Sequence, residues 1–135
     1  VRDGVQFVND SKGTNVGATV AALEGLADGR NIILIAGGED KGQAFAPLAK
    51  AASHRAKHTV LIGCDAVRIA EALDATTPHT FAEDMEAAVR TASDIATSGD
   101  IVLLSPACAS LDMFADYRAR GDAFTAAVRD CEEVP

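Results

Sequence analysis

The sequence is short of basic residues, cysteines and long apolar runs, and each shortage excludes a class of protein. Twelve lysines and arginines stand against 20 aspartates and glutamates, and the net charge of −8 argues against binding to nucleic acid or an anionic membrane surface. No apolar run approaches the ~20 residues of a membrane-spanning helix, and no signal peptide opens the chain. The cysteines Cys64, Cys108 and Cys131 are odd in number and lack metal-ligand spacing, so free thiols in a cytoplasmic protein are expected.

Two nucleotide-binding motifs are also missing. No G-x-G-x-x-G is present, so a dinucleotide site has no support. The Gly-rich stretch GGEDKG at residues 37–42 fails the phosphate-loop pattern because no Ser or Thr follows Lys41. The histidines His54, His58 and His79 have no metal spacing either, so the sequence predicts no metal site.

Short apolar stretches alternate with segments of helical spacing along the whole chain. Continuous apolar runs with β-branched residues, such as residues 31–36, predict strands that are buried on both faces. We predict one α/β domain over residues 1–135, a Rossmann-like three-layer sandwich whose mostly parallel sheet has about five to six strands and carries helices on both faces. The predicted strands are residues 5–8, 31–36, 58–62, 79–81 and 100–104, and the predicted helices are 16–26, 46–53, 65–73, 84–96 and a stretch within 116–130.

Three of these strands end in unusual polar loops. Because the carboxyl ends of parallel strands meet at one edge of a sheet, we expect the loops at 10–15, 37–42 and 105–110 to converge there. The turn after the first strand is also expected to leave backbone N–H groups free for an anion. The converging side chains would include two lysines and two hydroxyls, which suit a ligand with carboxylates or phosphates. The predicted rim comprises Asp10, Lys12, Thr14, Asp40, Lys41 and Ser110.

Each of these residues also has a plain structural interpretation. Asp10 is typical of a turn, and Lys12 alone is typical of a solvated surface. Either Thr14 or Asn15 can cap the first helix. Cys108 could be a nucleophile, but a buried structural cysteine is favoured because no histidine is near it in sequence. The buried face of the first helix is predicted to consist of Val16, Val20, Leu23 and Leu26.

Three motifs together resemble one protein family. They are NDSKGTN at residues 9–15, GGEDK at 37–41, and LSPACASLDMF at 104–114 with RGDAF at 120–124 behind it. In this order and spacing they closely resemble the C-terminal domain of the Mur ligases, over nearly the whole chain. The stretch SPACASLD at 105–112 is most similar to the members that add D-glutamate.

The resemblance implies an ATP-dependent, amide-bond-forming ligase of cytoplasmic peptidoglycan synthesis, and hence of cell-wall biogenesis, cell shape and cell division. Such an enzyme has one domain for the UDP-sugar, one with the ATP phosphate loop and Mg²⁺ ligands, and a third, resembled here, that brings the amino acid. It activates the carboxylate of UDP-N-acetylmuramoyl-L-alanine as an acyl phosphate, which the amine of D-glutamate attacks. This chain alone would be inactive.

The resemblance also implies roles for individual residues. Asp10 would face the ATP ribose, and Lys12 would be a catalytic group that neutralises phosphate or acyl-phosphate charge. Gly13 stands where some members have Ala, a change expected to loosen the turn only slightly. Tyr117 replaces the usual Phe, and no metal ligand is expected in this chain. The residues implied to bind or enclose D-glutamate are Thr14, Lys41, Ser110, the backbone of Leu111, and Tyr117.

The residues leave two alternatives open. One is a stand-alone nucleotide- or anion-binding α/β module of the same fold. The other is a different Mur ligase or a folylpolyglutamate-type ligase, although the Asp-Asn-Pro-Arg-type motif of diamino-acid-adding members is absent. The basic residue that the family places before the first strand would lie ahead of Val1 and is missing. The chain begins with Val1 rather than Met, and its first predicted strand starts almost at once. Both features suggest a piece of a longer protein.

Overall fold

Strands and helices alternate along the chain, as predicted. A computed structural model describes residues 4–10, 12–26, 29–38, 44–73, 77–108 and 116–133. None of the helices in these ranges has the length and apolar character needed to cross a membrane. The elements in chain order are β1 (Gln6–Asn9), α1 (Val16–Leu26), β2 (Ile32–Gly37), α2 (Ala46–Arg55), β3 (Ala56–Ile62), α3 (Ala66–Ala72), β4 (His79–Phe81), α4 (Met85–Ile95), β5 (Ile101–Leu104) and α5 (Tyr117–Glu133).

The junction of α2 and β3 differs from the prediction. The helix runs directly into the strand: the N–H of Ala56 donates to the carbonyl of Ala52 and closes the helix, while Ala56 already pairs with Ile32 of β2. The strand therefore begins two residues earlier than its apolar pattern indicated, because Lys57 interrupts that pattern. The last helix also runs further than predicted, to Glu133.

The five strands of the described ranges form one sheet in the order β1-β5-β2-β3-β4, and every pairing is parallel. The α/β prediction is therefore confirmed, with the strand number at the lower end of the predicted range. The last strand in sequence, β5, lies between β1 and β2, so Ile101 is in register with both Gln6 and Ile32. The chain thus returns to the middle of the sheet after it has built the β2-β3-β4 side.

Alternate residues of the central strands enter two separate cores. In β2, Ile32 and Leu34 pack with α1, α2 and α3 on one face, whereas Ile33 and Ile35 pack with α4 and α5 on the other. A strand with helices on both faces needs apolar side chains at every position, which is why β2 reads as a continuous apolar run. All six of its residues are buried. The predicted three-layer arrangement is confirmed.

Three of the four residues predicted for the buried face of α1 pack in the core, and Val20 is the one that is partly buried. Val16 and Leu23 are buried as expected, but Leu26, the last residue of the helix, is 36% exposed. The third buried residue is Thr19. A hydroxyl is tolerated there because it donates to the carbonyl oxygen of Ser105 at 3.1 Å.

Candidate functional site at the carboxyl edge of the sheet

The three polar loops begin at Asp10, Gly38 and Ser105, where β1, β2 and β5 end. These strands are neighbours in the sheet, so the loops start side by side, with the loop of β5 in the middle. Helices α1 and α2 cover one face of the sheet and α5 the other, so the connections change face at this point. Such a switch point is where parallel sheets bind ligands. The predicted convergence is confirmed for the start of each loop.

The first residues of the loop after β5, which we call the β5 loop (residues 105–108), join the other two loops. The N–H of Ala107 donates to the carbonyl of Gly13 at 2.7 Å, and the carbonyl of Pro106 accepts from the N–H of Gly37 at 2.9 Å. Ala107 is fully buried and has φ 66°, a left-handed conformation that costs a non-glycine residue about 1–2 kcal/mol. Strain of this kind, held by hydrogen bonds from both neighbours, indicates that the loop conformation is specified by its surroundings.

Asp10 is held against the β5 loop. Its Oδ2 accepts a hydrogen bond from Ser105 Oγ at 2.8 Å, and its N–H donates to the carbonyl of Leu104 at 2.8 Å. Its backbone carbonyl accepts a hydrogen bond from Gly13 N–H at 2.9 Å. Asp10 therefore also stabilises the turn, as its residue type predicted. The carboxylate is half-buried.

Lys12 and Thr14 occupy the same turn with different surroundings. Lys12 is exposed and forms no ion pair with a carboxylate of the described residues. Thr14 is half-buried, and its hydroxyl makes no hydrogen bond within the described part of the chain. The cap of α1 is Asn15, whose Oδ1 accepts from Ala18 N–H at 2.8 Å, so the Thr14 hydroxyl is not needed for that purpose.

The backbone of this turn offers fewer donors than the sequence predicted. The N–H of Gly13 donates to Asp10 O, the N–H of Thr14 donates to Lys12 O at 2.8 Å, and Asn15 takes the N–H of Ala18. The prediction of free N–H groups is therefore wrong for Gly13 and Thr14, whereas the N–H of Ala18 is taken by one of the two predicted caps.

The remaining predicted site residues lie outside the described residues or are described only in part. Lys41, Ser110 and Leu111 fall outside, as does Asp40 of the predicted rim. Tyr117 is the first residue of α5, and its side chain is outside the described part. The positions that lead into these segments are described, and they are tightly held.

Gly37 shows how tightly the second motif is held. Its φ is 128°, and a Cβ added there would lie 1.8 Å from the carbonyl oxygen of Ile62 in β3. Only glycine fits this close approach of two backbones. The following residue is also anchored, because the carbonyl of Gly38 accepts from the N–H of Asp65 at 3.1 Å.

Sequence reasoning missed three residues that support the site. Ser105 and Thr19 are fully buried beneath Asp10 and are joined to each other. Arg120 is 1% exposed, and its Nη1 donates to the carbonyl of Cys108 at 2.9 Å, so α5 holds the end of the β5 loop. Two features of the sequence could have indicated these residues: Thr19 stands among the apolar core positions of α1, and Arg120 stands on the buried face of α5. Cys108 itself is buried, as the structural interpretation predicted.

Two ionisable groups with shifted pKa values, Asp100 and His58, lie away from this edge. Burial alone would raise the pKa of Asp100, but hydrogen bonds from Lys57 Nζ at 2.7 Å and from Thr97 hold it below its usual value. Burial, and then the charge of nearby His79, lower the pKa of His58. No group of three or more His, Cys, Asp or Glu residues in the described ranges is arranged to hold a metal ion.

Comparison with known proteins agrees with the motifs. The profile of the family described as "Mur ligase, glutamate ligase domain" matches residues 1–108. A UDP-N-acetylmuramoylalanine--D-glutamate ligase from Bordetella avium is 55% identical over 132 residues, 97% of this chain and 25% of the relative. Proteins of the same name from Burkholderia mallei and Chromohalobacter salexigens are 57% and 53% identical over 95% and 91% of this chain, and over 25% and 28% of their own lengths.

The chain thus spans about a quarter of the length of the curated relatives it matches. The family profile extends over all five strands and ends within the β5 loop. The three motif loops at the carboxyl edge, the profile match and the shared identity over nearly the whole chain lead to one conclusion. The chain belongs to the Mur ligase family, as its glutamate ligase domain.

Proposed function

We propose that this chain is the C-terminal domain of a three-domain, ATP-dependent ligase that adds D-glutamate to UDP-N-acetylmuramoyl-L-alanine. The reaction belongs to cytoplasmic peptidoglycan synthesis. The substrate carboxylate is activated as an acyl phosphate, the amine of D-glutamate attacks it, and the tetrahedral intermediate loses phosphate to form the amide. The UDP-sugar site, the ATP phosphate loop and the Mg²⁺ ligands belong to the other two domains. The names of the relatives support this proposal.

One observation carries the proposal. Asp10, Lys12 and Thr14 share a single turn, and that turn is hydrogen-bonded to the β5 loop, which leads into Ser110. A group that faces a nucleotide and groups that face an amino acid therefore stand next to each other. A ligase that transfers a phosphoryl group to one substrate and then joins it to another needs this proximity.

We assign Lys12 and Asp10 to contacts with the nucleotide. Lys12 is exposed at the rim and has no carboxylate partner in the described part, so its charge is available to phosphate oxygens. Negative charge accumulates on the acyl phosphate and in the tetrahedral intermediate, and a fixed ammonium group lowers the energy of both. Asp10 accepts hydrogen bonds only, and so suits the hydroxyl groups of the ATP ribose.

We assign the binding of D-glutamate to the other side of the turn. Its two carboxylates need donors, and charge-assisted hydrogen bonds from a lysine are the strong kind. We assign these donors to Thr14, Lys41, Ser110 and the backbone of Leu111, with Tyr117 enclosing the ligand. The Thr14 hydroxyl supports this assignment, because Asn15 rather than Thr14 caps α1.

The test is phosphate release by the full-length ligase that contains this chain, with UDP-N-acetylmuramoyl-L-alanine, ATP and Mg²⁺. The amino acid is varied among D-glutamate, L-glutamate, lysine and diaminopimelate. We expect release with D-glutamate and little above background with the others. A preference for another amino acid would contradict the proposal.

A pair of variants tests the assigned side of Lys41. Lys41→Ala is expected to raise KM for D-glutamate and leave KM for ATP unchanged. Lys50→Ala, at an exposed position of α2, is the matched control and should change neither. Equal loss of D-glutamate and ATP use in Lys41→Ala would contradict the role.

Titration of the isolated chain with ATP and with D-glutamate separates the ligase from a stand-alone binding module. A stand-alone module would bind one of them measurably. The proposed domain would bind both only very weakly, because half of each site belongs to the other domains.

A further inference from the structure

We propose that Ser105, held by Thr19, is a positioning residue that fixes the Asp10 carboxylate for the nucleotide ribose. The inference rests on the proposed function and extends it to two residues that contact neither substrate. Ser105 is 95 residues from Asp10 in the sequence, and Thr19 lies on α1. No sequence motif contains all three residues. Three contacts carry the argument.

The first contact is the hydrogen bond between Ser105 Oγ and Asp10 Oδ2, at 2.8 Å. Ser105 is fully buried, whereas Asp10 is half-buried at the rim. The carboxylate therefore has one oxygen turned toward the protein interior. No hydrogen bond joins the other oxygen, Oδ1, to a residue of the described ranges, so it is the oxygen left for the ribose.

The second contact holds Ser105 in place. Thr19, fully buried on α1, donates from Oγ1 to the Ser105 carbonyl at 3.1 Å, and the same oxygen lies 3.0 Å from Ser105 Oγ. The Thr19 proton is thus used by the carbonyl. Ser105 has a single hydroxyl proton and two possible acceptors, the Thr19 oxygen and the Asp10 carboxylate. The carboxylate is charged and nearer, so it receives the proton.

The third contact is the packing of Gly13 against the hydrogen bond between Ser105 and Asp10. A Cβ added to Gly13 would lie 2.6 Å from Ser105 Oγ and 3.0 Å from Asp10 Oδ2. The bare Cα of Gly13 therefore packs directly over the hydrogen bond. A methyl group at this position would have to displace the Ser105 hydroxyl.

These contacts determine what Ser105 contributes to the reaction. A carboxylate on an exposed turn can rotate, and part of its binding energy is then lost to ordering when the nucleotide arrives. A buried hydroxyl that already holds Oδ2 removes that cost and aims Oδ1 at the ligand. The effect should appear in the use of ATP and not in the use of D-glutamate, whose proposed contacts lie elsewhere on the rim.

The experiment compares Ser105→Ala with the parent in the full-length ligase. We expect KM for ATP to rise about tenfold, as for the loss of one hydrogen bond to a charged group. KM for D-glutamate should stay within about twofold, because its donors are not touched. Thr19→Val, which keeps the shape and removes the hydroxyl, should act in the same direction with a smaller effect. Ser53→Ala is the matched control, since that hydroxyl donates only to Lys50 O on α2.

A second readout separates positioning from general damage. The parent should prefer ATP over 2′-deoxy-ATP or 3′-deoxy-ATP, and Ser105→Ala should reduce that preference because Asp10 no longer reads the ribose hydroxyl. An unchanged preference, or an equal rise of both KM values, would overturn the inference. If Ser105→Ala does not fold, Thr19→Val gives the same readout. A parent that is inactive with D-glutamate would instead refute the proposed function.

Discussion

Two aspartates, one at each edge of the sheet, are held in opposite ways. Asp100 precedes β5 at the amino edge, and its Oδ2 accepts from Lys57 Nζ, Thr97 N–H and Thr97 Oγ1. Asp10 follows β1 at the carboxyl edge, and its partner in the described part is the neutral hydroxyl of Ser105. One carboxylate is neutralised by a cation within the fold, and the other is oriented but has no cation partner among the described residues.

The two lysines show the same contrast. Lys57 is paired with Asp100, whereas Lys12 forms no ion pair with a described carboxylate. Charge pairs that are completed internally contribute to folding, and charged groups that are oriented but unpaired are available to a ligand. We therefore expect the amino edge to support the sheet and the carboxyl edge to support binding. The following predictions exchange or remove groups at the two edges.

The largest expected effect is that of Lys12→Met. Removal of the positive charge that we propose faces the phosphate should lower kcat of the full-length ligase about 10²–10³-fold. The free energy of unfolding should be unchanged, because Lys12 is exposed. Lys57→Met is the control at the other edge, with the opposite pattern of normal kcat and reduced stability. Similar effects of the two variants on kcat would remove the distinction between the edges.

Substitution of the two aspartates should also affect different quantities, KM for ATP at Asp10 and the free energy of unfolding at Asp100, with smaller effects. Asp10→Asn should raise KM for ATP about 10-fold or more, through the loss of charge-assisted hydrogen bonds. Asp100→Asn should leave KM unchanged and lower the free energy of unfolding by about 1–2 kcal/mol, because Lys57 loses its counter-ion. Urea unfolding and steady-state kinetics measure the two quantities. An Asp100→Asn variant with a raised KM for ATP would contradict the assignment.

The stabilisation by Asp100 should depend on pH. Its pKa is lowered in the folded state by Lys57 and Thr97 despite its burial, so its contribution is present above the unfolded pKa of about 4 and is lost as pH falls through the lower folded value. The stability difference between the parent and Lys57→Met should be constant from about pH 5 to pH 7 and shrink below about pH 4. Urea unfolding at each pH measures it. A difference that stays constant to pH 2 would exclude this pair as the cause.

The smallest expected effect is that of Gly13→Ala. The added methyl group would push the Ser105 hydroxyl from its position, but the end of a serine side chain can rotate away. We expect KM for ATP to rise about two- to threefold, less than in Ser105→Ala, since the Ser105 hydroxyl itself remains and is only displaced. Gly25→Ala, on α1 with open space around its Cβ position, is the matched control. A larger effect than that of Ser105→Ala would point to distortion of the turn instead.

Much of the fold could be predicted from local patterns. The bounds of α1 and β4 and the buried run of β2 match the prediction, because periodicity and caps act between residues close in sequence. The start of β3 could not be predicted, since its pairing with β2 outweighs the polar character of Lys57. The convergence of the three loops followed from the parallel sheet. The order that makes β1, β5 and β2 neighbours did not, because no local pattern specifies where β5 inserts.

The sequence by itself determined the family, the alternation of strands and helices, and the presence of Asp10, Lys12 and Thr14 in one turn. Those features depend on residue types and spacings along the chain. Only the tertiary structure brought Ser105 beneath Asp10, 95 residues apart, and Thr19 beneath Ser105, 86 residues apart. Such contacts arise from strand order and from the packing of α1 on the sheet. The groups proposed to bind were therefore visible in the sequence, and the buried groups that contact them were not.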